Sequence, residues 1–112
     1  MTVDIPLRAV SETNQREHWS SRNRRRKQQR GWTTLYLNSN RPPPLPVRVT
    51  LVRIAPRPLD TDNLWSSLKA FRDGVADHYE VDDNDEQIAW DVAQEKGEPK
   101  EYAVRINVEP QS

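Results

Sequence analysis

Apolar positions along this chain recur at two periods, near two residues in some stretches and near 3.6 in one other, with a long polar interval between. Residues 2–10 alternate well enough to predict a first strand, and Pro6 assigns it to a sheet edge because proline has no N–H for a ladder. Residues 11–30 are polar on every side, with Ser11 or Thr13 able to cap a helix and good helix formers through residues 22–30. A helix polar all round has no core face, so this one is expected to bridge solvent, to be partly disordered alone, or to bind something charged. Trp32, Leu35, Tyr36 and Leu37 restore enough apolar character to pin its end to the body.

Arg41-Pro42-Pro43-Pro44-Leu45-Pro46 is a stiff, extended connector; it contains a PxxP pattern, but a spacer between helix and strand is the preferred reading. Residues 47–54 follow with apolar side chains on both faces (Val47, Val49, Leu51; Val52, Ile54), which predicts a central, doubly covered strand ended by Pro56 and Pro58. From Asn63 onward Leu64, Leu68, Phe71 and Val75 fall at helical spacing, with Gly74 offering a stop. On the opposite side of that helix Asp62, Ser66, Lys69 and Asp73 form a second stripe. Ile88, Trp90 and Val92 then alternate with polar or small residues, as do Tyr102, Val104, Ile106 and Val108, and Gly97 and Pro99 interrupt them, so the last part predicts a hairpin. The expected fold is a single α+β domain over residues 1–112, with element order β-α-β-α-β-β, a mixed β-sheet and helices packed on it. Residues 11–45 are the basic arm and Pro-rich connector, and residues 46–110 are the core.

Composition changes this picture in three ways. With 112 residues of which 34% are apolar and 30% charged, the core of a monomer is modest, and a homodimer would add to the buried surface. The absence of cysteine excludes disulfides and thiolate sites, leaving oxygen or imidazole ligands and favouring a hard cation such as Mg2+ or Mn2+. No run reads as a membrane span or a signal-peptide core, so a cytoplasmic location without membrane contact is expected. The net charge of zero hides two poles: residues 1–58 hold 12 Lys and Arg against 3 Asp and Glu, whereas residues 59–112 hold 5 against 14.

The acidic pole concentrates in Asp60-Thr61-Asp62-Asn63 and in Asp82-Asp83-Asn84-Asp85. Two carboxylates at about 4 Å repel by roughly 4 kcal/mol at an effective dielectric near 20 unless a cation lies among them, and a metal ion is one such cation. Helix capping explains one acid at residues 60–63, and a solvated turn explains the second cluster taken alone; a shared metal explains both. A calcium loop at Asp83 and Asp85 lacks the required glycine and terminal glutamate. Lys69, ordinary by itself, can steady a phosphate or developing negative charge beside such a centre. His18 and His78 are weaker candidates.

The basic pole contains Arg22, Arg24, Arg25, Arg26, Lys27 and Arg30, six cations within nine residues and no acid between them, flanked by Trp19 and Trp32. Solubility needs only a mixed-sign surface, so a phosphate backbone is the expected partner, with the tryptophans either stacking on bases or anchoring the arm.

These residues resemble the RusA family of Holliday junction resolvases, small dimeric endodeoxyribonucleases of bacteria and their phages. The likeness lies in Asp60-Thr61-Asp62-Asn63 opening a helix, Lys69 and Asp73 farther along it, and an acidic cluster just before Gln87-Ile88, and it covers residues 59–88. The family lysine stands three residues after the Asn, where this chain has Ser66, with Lys69 one turn beyond. The second acidic motif aligns in two registers, leaving either Asp83 or Asp85 as the ligand. The resemblance implies a Mg2+-dependent hydrolase of branched DNA in recombination and repair, working as a homodimer without an organic cofactor. Asp60, Asp62, Asp83 and Asp85 would bind the metal and Lys69 would support catalysis. A non-catalytic nucleic-acid-binding protein that keeps the fold is the first alternative, and a charge-segregated assembly protein, basic arm on acidic half, is the second.

Overall fold

The computed structural model describes residues 1–10 and 19–111; Ser11, Thr13 and His18 lie outside the described residues. The elements run in the order β1 (Thr2–Ile5), α1 (Trp19–Asn40), β2 (Val47–Ala55), α2 (Thr61–Tyr79), β3 (Ile88–Lys96) and β4 (Ala103–Pro110). The four strands form one mixed sheet in the order β1-β4-β2-β3, an α+β arrangement as the periodicity predicts. β1 stops before Pro6 and lies at an edge, while β2 is interior.

The hairpin expected from the last two strands does not form. β3 runs parallel to β2, reached through α2 as a crossover, and β4 runs antiparallel to β2 on its other side. Alternation reports which face a side chain takes, not which strand lies beside it, and a parallel neighbour requires a crossover of the length α2 provides. Having occupied one flank of β2, the chain after β3 returns to the other flank.

One side of the sheet faces the core. Val47, Val49 and Leu51 of β2 and Val104, Ile106 and Val108 of β4 pack with Ile5, Ile88, Leu37 of α1, and Leu64, Leu68, Phe71 and Val75 of α2. The double cover expected for β2 is largely absent: on the far side Arg48 is exposed and Thr50 and Val52 are half-buried, while Ile54, beside Gly97, is buried. That far face is held by ion pairs, Arg48 with Asp91 at 2.6 Å and Arg105 with both Asp4 at 2.9 Å and Glu95 at 2.8 Å.

The helices depart from expectation in instructive ways. Gly74 does not stop α2, which continues to Tyr79 and ends at Glu80, whose left-handed conformation (φ 58°) lets its N–H reach the carbonyls of Ala76 and Asp77. Gly74 is instead where α1 crosses: a Cβ there would lie 2.6 Å from the Arg30 carbonyl oxygen and 2.6 Å from Thr33 Cβ. α1 is not faceless either, because Gln29, Thr33 and Leu37 are buried four residues apart along one stripe. Its polar members are satisfied, with Gln29 Nε2 donating to the Arg8 carbonyl at 2.9 Å and Thr33 Oγ1 to the Gln29 carbonyl at 2.7 Å. Leu37 pins the helix end, but Trp32 and Leu35 remain exposed.

Candidate functional site

The N-terminus of α2 is built by Asp60. Its extended backbone makes it the N-cap, and its carboxylate accepts from the Asn63 backbone N–H at 2.8 Å and from Asn63 Nδ2 at 3.0 Å. Such a cap satisfies one of the orphan N–H groups of the first turn and sets a negative charge at the positive end of the helix. Asp62 follows in the first turn, exposed. The approach to Asp60 is fixed by Gln94 of β3, whose side-chain amide accepts from Leu59 N–H at 2.9 Å and donates to the Leu59 carbonyl at 2.7 Å.

Nine residues past Asp60, about 13 Å along the axis, the second stripe of α2 meets the loop before β3. Lys69 Nζ donates to Asp73 Oδ1 at 2.8 Å, one turn on, and to Asp83 Oδ2 at 2.6 Å. Burial opposes the charge on Lys69, but the hydrogen bonds to the two carboxylates outweigh it and hold the ammonium above its ordinary pKa. The Lys69 hydrogen bond conversely keeps the Asp83 carboxyl below the usual carboxylate range, against a partial burial penalty. Arg72 adds a second cation, its Nε 3.3 Å from Asp83 Oδ2. The Asp83 carbonyl accepts from Arg72 at 3.1 Å and from Trp90 Nε1 at 2.9 Å. Asp83 is thus tied to helix and sheet at once.

The remaining acids of the loop shape it. The backbone N–H of Asp85 bonds the Asp82 carbonyl at 3.0 Å, and the Asp85 side chain accepts from Gln87 N–H at 2.9 Å and from Gln87 Nε2 at 3.3 Å. Asp82 is exposed. The structure accordingly brings together Lys69, Asp73 and Asp83, puts Asp60 on Asn63, and puts Asp85 on Gln87. Among the described residues no three acidic or histidine side chains gather as a metal-ligating group. Lys69 and Arg72 fill the position of the counter-cation that the acidic spacing requires at Asp83.

The basic stretch of α1 runs beside this stripe. Arg26 joins Trp65, Ser66, Lys69 and Arg72 around a cavity of about 290 Å3 floored by Leu51 and Leu68. Arg26, Lys27 and Arg30, with Asn23, Lys69, Ala70 and Asp73, line a second of about 380 Å3. The two share Arg26 and Lys69 and adjoin where α1 faces α2, with cations lining both and Asp73 lining the second. Arg30 also forks onto Asp77 of α2, at 2.5 and 2.8 Å, which raises the Arg30 pKa and lowers that of Asp77. Arg24 is exposed, and Arg22 and Arg25 are half-buried. His78 has its Nδ1 2.5 Å from Asn38 Oδ1 and its ring edge-on to Tyr79.

Sequence reasoning overlooked Arg72, Trp65 and Trp90. Arg72 was legible in part, standing three residues after Lys69, but its role depends on the loop folding back across α2. Its guanidinium carbon lies 4.9 Å from the Trp90 ring centre and 6.0 Å from that of Trp65, within cation–π reach. No helix among the described residues is long and apolar enough to cross a membrane. No protein-family model and no curated protein matches the chain.

Proposed function

We propose that this protein is a Mg2+-dependent, structure-selective endodeoxyribonuclease that cuts four-way DNA junctions as a homodimer. The observation that carries the reading is the pair of adjoining cavities where Arg26, Lys27 and Arg30 of α1 meet Lys69 and Arg72 of α2. Five cations from two elements line these adjoining openings, Arg30, Lys69 and Arg72 also holding Asp77, Asp73 and Asp83, and they suit a phosphodiester backbone, whose binding releases counterions and weakens steeply with salt. The likeness of residues 59–88 to the RusA family supplies the reaction class, and two symmetric cuts call for two copies of the site.

The available donors are all carboxylate oxygens, a set whose chemistry fits a hard cation. Asp60 and Asp62 at the head of α2 would hold it; Asp83, bonded to Lys69, and Asp85, bonded to Gln87, do not gather with them among the described residues, so either would join only by leaving its present partner. Mg2+ held there would ease deprotonation of a water, giving a hydroxide nucleophile for phosphorus, and would offer positive charge to the leaving oxygen. The chain's own part is separate: Asp60 fixes the start of α2, Gln94 fixes the approach to Asp60, and Lys69 and Arg72 set positive charge beside the bound backbone.

A second reading, a nucleic-acid-binding protein without catalysis, is favoured by one observation: Asp83 is already neutralised by Lys69 and Arg72. Incubating a synthetic four-way junction with protein in Mg2+ or Mn2+ separates the two. Under the nuclease reading wild type nicks the junction, Asp60→Asn and Asp62→Asn abolish nicking, and both variants still shift it in a gel. Binding without nicking by wild type in either metal establishes the second reading. Arg25→Ala with Arg26→Ala is expected to weaken binding and flatten its salt dependence.

A further inference from the structure

Trp65 occupies an unusual place on α2. The apolar stripe of that helix runs through Leu64, Leu68, Phe71 and Val75, and Trp65 stands beside it, 37% exposed. Its neighbours are fixed. Arg72 and Trp90 both donate to the Asp83 carbonyl, and Arg72 lies near the rings of both tryptophans. The indole is therefore held at the rim of the cavity of about 290 Å3 that Arg26, Lys69 and Arg72 also line.

The lining combines two chemistries that few ligands satisfy together. An inorganic anion would use the three cations but not the indole or the apolar floor of Leu51 and Leu68. An apolar ligand would make no use of the charge on Arg26 or of the third Lys69 donor, the other two being on Asp73 and Asp83. A nucleotide uses both, because its base offers a flat π-face to an aromatic ring and its phosphate a charge to lysine and arginine. In a paired duplex the faces of a base are covered by its stacked neighbours, so only an unpaired nucleotide presents one. Ser66 and Lys69 stand about 6 and 10 Å along the helix axis from Asp62, so such a nucleotide would lie next to the acidic end of α2.

We infer that the cavity between α1 and α2 receives one unpaired nucleotide of a DNA strand, with its base stacked on Trp65 and its phosphate held by Arg26 and Lys69. The inference rests on the DNA reading above and adds to it a means of telling opened strands from paired ones.

The test compares wild type, Trp65→Ala and Trp65→Phe by fluorescence anisotropy on an oligo-dT strand, a blunt duplex of equal length and a four-way junction. Trp65→Ala is expected to lose roughly five- to a hundredfold in affinity for oligo-dT, with duplex affinity within about twofold, while Trp65→Phe recovers most of the loss. Oligo-dT should also quench wild-type indole fluorescence more than that of Trp65→Phe, a comparison that holds even where the alanine variant fails to fold. Equal loss on strand and duplex, no loss on the strand, or identical quenching in wild type and Trp65→Phe overturns the inference. Failure of wild type to bind any of the three DNAs overturns the DNA reading itself. Junction binding that depends on Arg25 and Arg26 but not on Trp65 overturns the nucleotide site alone.

Discussion

The two helices cross at Gly74 and reach that crossing by opposite means. α2 buries Leu64, Leu68, Phe71 and Val75 in the core, an apolar stripe sufficient to hold it on the sheet. α1 buries only Gln29, Thr33 and Leu37, and its remaining ties to α2 include the Arg30–Asp77 pair and the bond from Thr34 Oγ1 to the Gly74 carbonyl at 2.9 Å. A helix so poor in apolar surface is stabilised by what it touches rather than by its own propensity. The basic helix is therefore positioned by α2 together with the Leu37 and Gln29 contacts, and the space between the helices depends on how closely they approach.

Closing or opening that approach should give the largest effect. Gly74→Val places a branched side chain where even a Cβ would meet backbone at 2.6 Å, and overpacking of this kind costs about 1–3 kcal/mol or more. Gly74→Ala is the sharper probe. Helix propensity alone favours alanine by about 1 kcal/mol, so a net loss in the urea midpoint shows that steric contact with Arg30 and Thr33 prevails. Both variants should also speed tryptic cleavage within the basic run of α1. A stabilised Gly74→Ala protein would mean that the helices separate at little cost, and the contrast between them would lose its basis.

A smaller effect is expected at the head of α2. Asp60→Ala removes the cap and should cost about 1 kcal/mol, read as a lower urea midpoint. Asp60→Asn keeps an oxygen for the Asn63 N–H and should cost much less. Under the nuclease reading the asparagine variant nonetheless loses cleavage, so the pair divides the structural use of Asp60 from its chemical one. Cleavage that tracks stability across both variants would leave Asp60 a cap and nothing more.

These features differ in how far the sequence disclosed them. The core stripe of α2 and the i, i+4 placement of Lys69 and Asp73 follow from helical geometry, and so were readable. The edge position of β1 and the interior position of β2 followed from Pro6 and from the apolar run. The partner of β3 was not readable, since alternation is the same for a hairpin strand and for one beside β2. Gly74 suggested a terminus because glycine is a poor helix former, whereas here its missing side chain admits α1. Gln29 looked solvent-facing, in a stretch polar on every side, because its burial depends on a hydrogen bond to the Arg8 carbonyl. At the site, the acidic clusters were visible as repelling charges, but that Lys69 and Arg72 sit on Asp83 became evident only when the loop at Asp83 lay against α2. Tertiary contact, absent from any local pattern, accounts for each of these differences.

The smallest expected effects separate the two ends of the same helix contact by pH. Asp77 has a lowered pKa because Arg30 hydrogen-bonds its carboxylate. Stability from that pair is therefore fully present above the unfolded carboxylate value near 3.9 and is lost as pH falls through the lower folded value. Both side chains are more than a third exposed, which limits the contribution to under about 1 kcal/mol, less at high salt. His78 has a lowered pKa because of burial, so its neutral form favours the fold; stability begins to fall as pH drops below the unfolded value near 6.5 and the loss is complete beneath the folded one. Urea midpoints measured from pH 8 to pH 2 should thus show two shallow steps. His78→Gln should flatten the one near neutrality, and Asp77→Asn should reduce the one in acid, which Asp83 shares. A neutral step that persists in His78→Gln would assign it to another group and leave Arg30–Asp77 as the titrating link between the helices.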